Sequence, residues 1–210
     1  MLDAIPDQQE VLEYQEVKRR SISGVLSLIS RTFIVQIISF VATLALTIFL
    51  DPAVYGIYYL VSSVINFLAY FSDVGLAAAL IQKKETPTKK DLSTTFTVQQ
   101  LLVLSLLLLL VILRPVLRNT YNIDQSGMYL LYAMAISLFL SSLKTIPSLM
   151  LEREIKVNKL ILPQILETLV FNAVAVFFAW KGYGVTSFTY AVLSRGVIGL
   201  VAMYLIYPWK

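Results

Sequence analysis

Five ionisable side chains interrupt long apolar stretches of this sequence, and they have more capacity for chemistry than any other residues in it. They are Arg31, Asp73, Lys144, Glu167 and Arg195. A charge near the centre of a bilayer costs at least ~2.5 kcal/mol on insertion scales, so such a residue usually faces a partner or a water-filled cavity. We therefore expect these five side chains to form ion pairs or a charged site between helices.

The sequence has no cysteine and no histidine. This excludes disulfides, thiolate nucleophiles, imidazole bases and metal sites built from His and Cys. Acid and base catalysis would depend on scattered Asp and Glu residues. We therefore expect no catalytic residue, no metal site and no cofactor, and the protein is not expected to be an enzyme.

The composition and the apolar runs predict the element that must position these charges. Of the 210 residues, 58% are hydrophobic, which is more than a soluble domain of this size can bury. Hydrocarbon offers no partner to open backbone groups, and the runs lack the two-residue alternation of barrel strands, so the runs are predicted to be helices. The fold class is all-α, a polytopic membrane helix bundle. The six predicted transmembrane helices cover residues 22–50, 54–82, 92–113, 126–151, 160–180 and 186–207.

Basic residues in the connecting segments predict the orientation, because Lys and Arg stay on the cytoplasmic side. One side holds Lys18, Arg19, Arg20, Lys83, Lys84, Lys89, Lys90, Arg153, Lys156, Lys159 and Lys210. The other side holds Arg114, Arg118 and Lys181. This imbalance places both termini in the cytoplasm. Residues 1–21 are then a cytoplasmic tail, and residues 22–210 form a six-helix transmembrane lobe.

Turn residues and prolines predict how the helices are joined. Short non-cytoplasmic turns at 50–56 and 180–185 indicate antiparallel neighbours, whereas residues 114–127 are predicted to form a longer outer loop. Pro163 is expected in the first turn of its helix, where its missing N–H is harmless. Pro147 is expected to kink the fourth span beside Lys144.

The depths of the five charges leave two interpretations open. Arg31 and Asp73 lie ~14 Å from the predicted cytoplasmic boundary, Lys144 and Glu167 lie ~10 Å from it, and Arg195 is nearer the middle. In the first interpretation, Arg31 with Asp73 and Lys144 with Glu167 are structural ion pairs. Alternatively, a water-filled cavity opens towards the cytoplasm, and the excess positive charge of Arg31, Lys144 and Arg195 binds an anionic substrate.

Uncharged polar residues inside the spans have two similar interpretations. They either form hydrogen bonds between helices or line a wet stripe. Tyrosines and tryptophans near span ends, such as Tyr55 and Trp180, are typical of interfacial anchors. The uncharged polar residues are Gln36, Asn66, Gln99, Gln100, Gln164 and Asn172.

Three blocks of the sequence resemble a known group of transporters. They are "LDPAVYGIYYLVSSVINFLAYFSDVGLAAALIQKKETPTKKDLSTTF", "KTIPSLMLEREIKVNKL" and "WKGYGVTSFTYAVLSRGVIGLVAMYLIYPWK". Together they span residues 50–210 in order. They resemble the oligosaccharide flippases, including O-antigen repeat-unit translocases, of the multidrug/oligosaccharidyl-lipid/polysaccharide exporter superfamily.

The resemblance implies more than the pattern of charges does. Such transporters have two lobes of six helices around a central cavity that alternates between the two membrane faces. They move polyprenyl-pyrophosphate-linked sugars from the inner to the outer leaflet of the cytoplasmic membrane. Arg31, Lys144 and Arg195 are then candidate contacts of the pyrophosphate or an acidic sugar, and Asp73 and Glu167 are candidate structural partners. The bilayer and the lipid-linked sugar are the expected partners, and nucleic acid is not.

The sequence covers only the N-terminal lobe of that arrangement. We expect either that a C-terminal lobe is missing from this chain or that two copies assemble as a homodimer. Two other functions stay open. One is a non-transporting assembly subunit for polysaccharide export, and the other is a cation-coupled small-molecule exporter of the same superfamily.

Overall fold

The computed structural model describes residues 29–30, 32–72, 75–83, 85–154, 156 and 158–209, and this part of the chain is helical with short connections. The predicted tail at 1–21 lies outside the described residues. The helices are α1 (Thr32–Phe49), α2 (Pro52–Ser72), α3 (Leu76–Gln82), α4 (Lys89–Thr120), α5 (Gln125–Leu143), α6 (Thr145–Arg153), α7 (Asn158–Trp180) and α8 (Thr186–Ile206).

Six of these helices are long and apolar enough to cross a membrane, namely α1, α2, α4, α5, α7 and α8. The prediction of an all-α, multi-pass membrane protein is therefore confirmed. On α4 the exposed side chains Leu101, Leu104, Leu108 and Ile112 follow one helical face. An exposed apolar face of this kind is suited to contact with lipid.

Two predicted spans are each broken into two helices. In the second span, α2 ends at Ser72 and α3 begins at Leu76, with Gly75 between them at φ 74°. That backbone conformation is in the left-handed region, which glycine adopts without a steric penalty. In the fourth span, α5 ends at Leu143 and α6 begins at Thr145. Apolar composition does not report such breaks, so the sequence could not show them directly.

The longest helix, α4, corrects the predicted outer loop at 114–127. A capping box between Thr88 and Asp91 starts α4, and the helix continues through Pro115 to Thr120. A proline removes one N–H and crowds the preceding turn, but it often bends a helix rather than ending it. The 32 residues of α4 span about 48 Å, so α4 extends beyond a hydrocarbon core of ~30 Å.

The core of the bundle forms around α5, α7 and α8. The antiparallel pair α7 and α8 is joined by a short turn at 181–185, as predicted, and α8 also packs along α5. α5 in turn contacts α2 and α4. The small residues Ala175, Ala191 and Ser187 are fully buried, which allows the helices to approach closely.

Arg153 ties α6 to the segment between α3 and α4. Its Nη1 donates to the carbonyl oxygens of Leu80 and Ile81, at 2.5 and 3.2 Å. Its Nη2 donates to the carbonyl oxygens of Lys83 and Glu85, both at 2.7 Å. The Leu80 and Ile81 carbonyls belong to the last turn of α3, where carbonyls lack helical partners. Arg153 is therefore more than a topological charge, since it also fixes this connection.

Candidate functional site

Lys144 lies at the break between α5 and α6, and Pro147 explains the break. A proline at 147 has no N–H for the Leu143 carbonyl four residues earlier. The Tyr204 hydroxyl donates to that carbonyl instead, at 3.1 Å, and the Lys144 N–H bonds the Ser141 carbonyl. The predicted kink is therefore present as a break, three residues before Pro147. It places Lys144 on the inner side of the bundle.

Glu167 on α7 lies between two cations. Its Oε1 forms an ion pair with Lys144 Nζ, and its Oε2 lies 3.6 Å from Arg195 Nε. The Glu167 side chain is 10% exposed and that of Lys144 18%, whereas that of Arg195 is 51% exposed. The predicted pairing of Lys144 with Glu167 is present, and Arg195 joins it as a third member. We call these three residues the charge triad.

Gly199 on α8 makes room for the carboxylate. A Cβ added at Gly199 would collide with the Glu167 side chain, including its Oε1. α7 and α8 therefore approach closely enough to hold Glu167 between them only because residue 199 has no side chain. One turn earlier on α8, a Cβ at Gly196 would lie 3.0 Å from Leu140 Cδ1 and 3.2 Å from Ser137 Oγ on α5.

The two cations of the charge triad are not equally accessible to a ligand. Glu167 neutralises one of its two cations, so the triad carries a net charge of about +1. Lys144 is buried against Glu167, and a buried ion pair of this type costs several kcal/mol when one partner is removed. Arg195 is more distant from Glu167 and half exposed. Arg195 is therefore the cation of the triad that is best placed to bind an anion.

Three cavities converge on Arg195. The first, the ion-pair cavity, has a volume of about 340 Å³ and contains Lys144, Glu167 and Gln164. The second, the hydroxyl cavity, has a volume of about 420 Å³ and is lined by residues that include Ser62, Ser137 and Ser141. The third, the aromatic cavity, has a volume of about 390 Å³. Arg195 lines all three.

The ion-pair cavity and the aromatic cavity extend from Arg195 in opposite directions along the bundle. Arg195 is the tenth residue of the 21-residue helix α8, close to its midpoint. The ion-pair cavity reaches Pro163 near the start of α7, and the aromatic cavity reaches Leu46 and Tyr55 at the α1–α2 turn. The cation at mid-helix therefore has open volume towards both ends of the bundle.

An exposed polar stripe on α2 runs beside the cavities. Tyr59, Ser63, Asn66 and Tyr70 follow one helical face, and all four are exposed. Tyr59 and Asn66 also line the hydroxyl cavity. Polar groups that face lipid are costly because the hydrocarbon offers them no partners. We call this stripe together with Arg195 the wet face, because its polar groups are better suited to water or to another protein surface than to lipid.

The remaining predicted polar residues divide into two groups. Gln99 Nε2 donates to Thr145 Oγ1 at 3.0 Å, and Gln100 Oε1 accepts from Ser142 Oγ at 3.2 Å, so both join helices. Gln36 and Gln164 line the ion-pair cavity, and Asn172 lines the aromatic cavity. Pro163 lies in the second turn of α7, so its placement in the first turn was wrong.

Two of the five predicted charges are not placed by the structure. Arg31 and Asp73 both lie outside the described residues. Their proposed pairing, and a role for Arg31 in binding an anion, stay predictions.

The aromatic residues of the site were missed by reasoning from the sequence. Tyr55 was predicted to be an interfacial anchor, but its Oη is buried and its ring lies 6.0 Å from that of Phe188. Tyr58 stacks on Phe188 with ring centroids 4.3 Å apart. Phe171 completes the group and lies 6.0 Å from the Arg195 guanidinium. Tyr58 and Tyr59 could have indicated this aromatic group, because both lie too deep in the predicted span to contact lipid headgroups.

A fourth cavity has a different chemistry. It is a groove of about 720 Å³ between α1 and α7, with apolar walls that include Val41, Phe49 and Trp180. Its one polar lining residue is Asn172, which also lines the aromatic cavity. We call it the apolar groove. The groove and the aromatic cavity are therefore lined by different residues of α1, and they share Asn172 of α7.

Comparison with known proteins gives one match. The profile of a family described as polysaccharide biosynthesis protein matches residues 45–210. No curated protein and no solved structure is significantly similar to the chain. The match begins within α1 and includes all three members of the charge triad.

Proposed function

The chain belongs to the polysaccharide biosynthesis protein family, a group of flippase type, and from this premise we propose that it translocates lipid-linked sugars. The substrate is a polyprenyl-pyrophosphate-linked oligosaccharide or polysaccharide repeat unit, which moves from the inner to the outer leaflet of the cytoplasmic membrane. This role is transport and requires no catalytic residue.

One observation carries the proposal: Arg195 is a half-exposed cation at mid-helix where three cavities meet. A substrate that crosses the membrane must pass its charged group through the midplane. An arginine binds phosphate oxygens through several N–H donors in a planar fork. Open volume on both sides of Arg195 provides the space for approach and departure.

The net positive charge of the site favours an anionic substrate over a cationic one. Glu167 is the described carboxylate of the site, and it is engaged by Lys144 and Arg195. A cation would therefore have to compete with two resident positive charges for one carboxylate. An exporter of cations is expected to expose carboxylates in its cavity, and this arrangement has the opposite sign.

The apolar groove suits the lipid part of such a substrate. A polyprenyl chain is a hydrocarbon and needs an apolar surface within the membrane. The groove supplies that surface, and it adjoins the aromatic cavity at Asn172. One molecule can then place its tail in the groove and its charged head at Arg195.

The wet face supports a second lobe as partner. Its polar residues are unsuited to lipid, and transport by alternating access needs two lobes that rock about a site near the midplane. We propose that a second six-helix lobe covers the wet face, either as a C-terminal lobe or as a second copy of this chain. Both termini of the present lobe lie in the cytoplasm in this account, and the membrane is the inner membrane.

The test is the position of lipid-linked sugar in cells whose polysaccharide export depends on this chain. Removing the chain should cause the lipid-linked sugar to accumulate in the inner leaflet. Arg195→Gln should reduce export at least tenfold, Arg195→Lys should retain part of it, and Arg118→Gln, at the exposed end of α4, should have no effect. If Arg195→Gln exports at the wild-type rate with the sugar in its normal leaflet, the proposal is wrong.

A further inference from the structure

The aromatic cavity has a composition that neither a phosphate nor a hydrocarbon chain requires. Its lining residues include the aromatic residues Tyr55, Tyr58, Phe171 and Phe188, and also Ser39 and Thr43, which carry hydroxyl groups. Charge recognition needs only Arg195, and a lipid tail is served by the apolar groove. The combination of ring surfaces and hydroxyl groups has to be explained separately.

The Tyr55 hydroxyl is the most informative group in this cavity. Its oxygen is buried and has no hydrogen-bond partner among the described residues. Leaving a buried polar group unpaired costs about 1–3 kcal/mol, so such a group is usually satisfied by water or by a ligand. The Tyr55 ring packs edge-on against Phe188, and both residues line the aromatic cavity.

Carbohydrate has the complementary chemistry. A sugar ring has faces of C–H groups, which pack on aromatic rings, and a rim of hydroxyl groups, which bond to polar side chains. The volume of about 390 Å³ is within the range of small-molecule sites and far exceeds the space of one water molecule. A hydrocarbon chain in this cavity would leave the Tyr55 hydroxyl unpaired, so lipid is disfavoured.

We propose that the aromatic cavity is a saccharide subsite, which binds the sugar ring next to the phosphate while that phosphate contacts Arg195. This inference rests on the proposed function and adds to it the position of the sugar. Arg195 lines the cavity and lies over the Phe171 ring, so a phosphate at Arg195 places the attached sugar against the aromatic side chains.

The subsite also gives the bound substrate a direction. The aromatic cavity reaches the α1–α2 turn, whereas Lys144 and Glu167 lie towards the opposite end of the bundle. The sugar therefore points to the end that carries the α1–α2 turn, with the phosphate behind it at mid-helix. In the predicted orientation this turn is on the outer side, so the sugar leads and the phosphate follows.

The test measures what a sugar adds to phosphate binding. The full chain in lipid nanodiscs is titrated with inorganic phosphate and with a panel of hexose 1-phosphates, and dissociation constants are obtained from the broadening of the ligands' phosphorus NMR signals. We expect at least one hexose 1-phosphate to bind about tenfold more tightly than phosphate. Tyr55→Phe should remove most of that gain without changing phosphate binding, and Tyr190→Phe, on the far side of α8, should preserve it.

Arg195→Gln separates this inference from the proposed function. It should weaken phosphate and hexose 1-phosphate by a similar factor, because both use the same cation. If phosphate binds through Arg195 and no hexose adds affinity, the saccharide subsite is wrong and the anion site remains. A hexose gain that survives Tyr55→Phe also overturns the subsite. If no hexose 1-phosphate binds at all, the subsite is likewise rejected, whereas the export measurement decides the proposed function.

Discussion

The side chain of Glu167 occupies the space in which a side chain on Gly199 would lie. The carboxylate that holds Lys144 and Arg195 together is therefore accommodated by the absence of a single methyl group on the neighbouring helix. This relationship connects the packing of α7 and α8 with the charge of the site.

Gly199→Ala should expel Glu167 from its position between the two cations. The added methyl cannot coexist with the carboxylate, so either the helices separate or the ion pairs break, and we expect both stability and export to fall. Gly56→Ala is the matched control, because a Cβ there meets nothing within 4 Å. Thermal unfolding of both variants in detergent measures the difference in their stability. Equal melting temperatures for the two variants would show that Gly199 is not a close contact.

Breaking the charge triad should cost more than removing an exposed ion pair. Glu167→Gln leaves Lys144 with a buried, uncompensated charge, and we expect a loss of about 3 kcal/mol in the free energy of unfolding. Adding Lys144→Met to this variant should recover part of the loss.

The control for the charge triad is Lys156→Met. Lys156 pairs with Glu154 on the surface, and its side chain is 54% exposed. Such a pair contributes at most about 1 kcal/mol. Denaturant unfolding in micelles gives all the required values. If Glu167→Gln costs no more than Lys156→Met, the ion pair of the triad is not a stabilising feature.

Tyr204 should matter only while residue 147 is a proline. The Tyr204 hydroxyl donates to the Leu143 carbonyl, to which Pro147 cannot donate because it has no N–H. We expect Tyr204→Phe to cost about 1 kcal/mol in the free energy of unfolding. In a Pro147→Ala background the new N–H can bond Leu143, so the same change should cost much less. An identical cost in both backgrounds would mean that the two residues are independent.

Arg153 should control the order of the segment between α3 and α4. Arg153→Ala removes four hydrogen bonds to carbonyl groups, each involving a charged donor. We expect the amides of residues 80–83, 85 and 86 to exchange with deuterium at least tenfold faster. Arg153→Lys should be intermediate, because an ammonium cannot reach all four carbonyls. Lys159→Ala, which removes a basic residue at the start of α7, is the control. If the same amides exchange equally fast in Lys159→Ala and Arg153→Ala, Arg153 does not order this segment.

The sequence was sufficient for the number of apolar helices, and it offered the pairing of Lys144 with Glu167 as one of two interpretations. Apolar run length identifies a membrane helix because the bilayer has a fixed thickness. The depth of two opposite charges follows from the helical rise alone. Both inferences depend on distances that are counted along each helix separately, and a sequence gives such distances directly.

The breaks and the third member of the triad could not be predicted in this way. An apolar run does not distinguish one helix from two. The sequence therefore predicted a kink at Pro147, where the structure has a break at Lys144. Arg195 reaches Glu167 because Gly199 brings α8 close to α7. The aromatic cavity likewise combines residues of α1, α2, α7 and α8, and their proximity is a property of the packed bundle.

The most direct test of the central claim is the reactivity of a cysteine at position 195. The chain has no cysteine of its own, so Arg195→Cys in the membrane reports on one site. The account predicts that a water-soluble, anionic thiol reagent modifies it at least tenfold faster than Ala191→Cys, one turn earlier on α8 and fully buried. Inorganic pyrophosphate should not protect Arg195→Cys, because the cation has been removed, but it should protect Ser62→Cys in the adjoining hydroxyl cavity. If Arg195→Cys reacts as slowly as Ala191→Cys, no hydrated cavity reaches mid-membrane, and the transport account is contradicted.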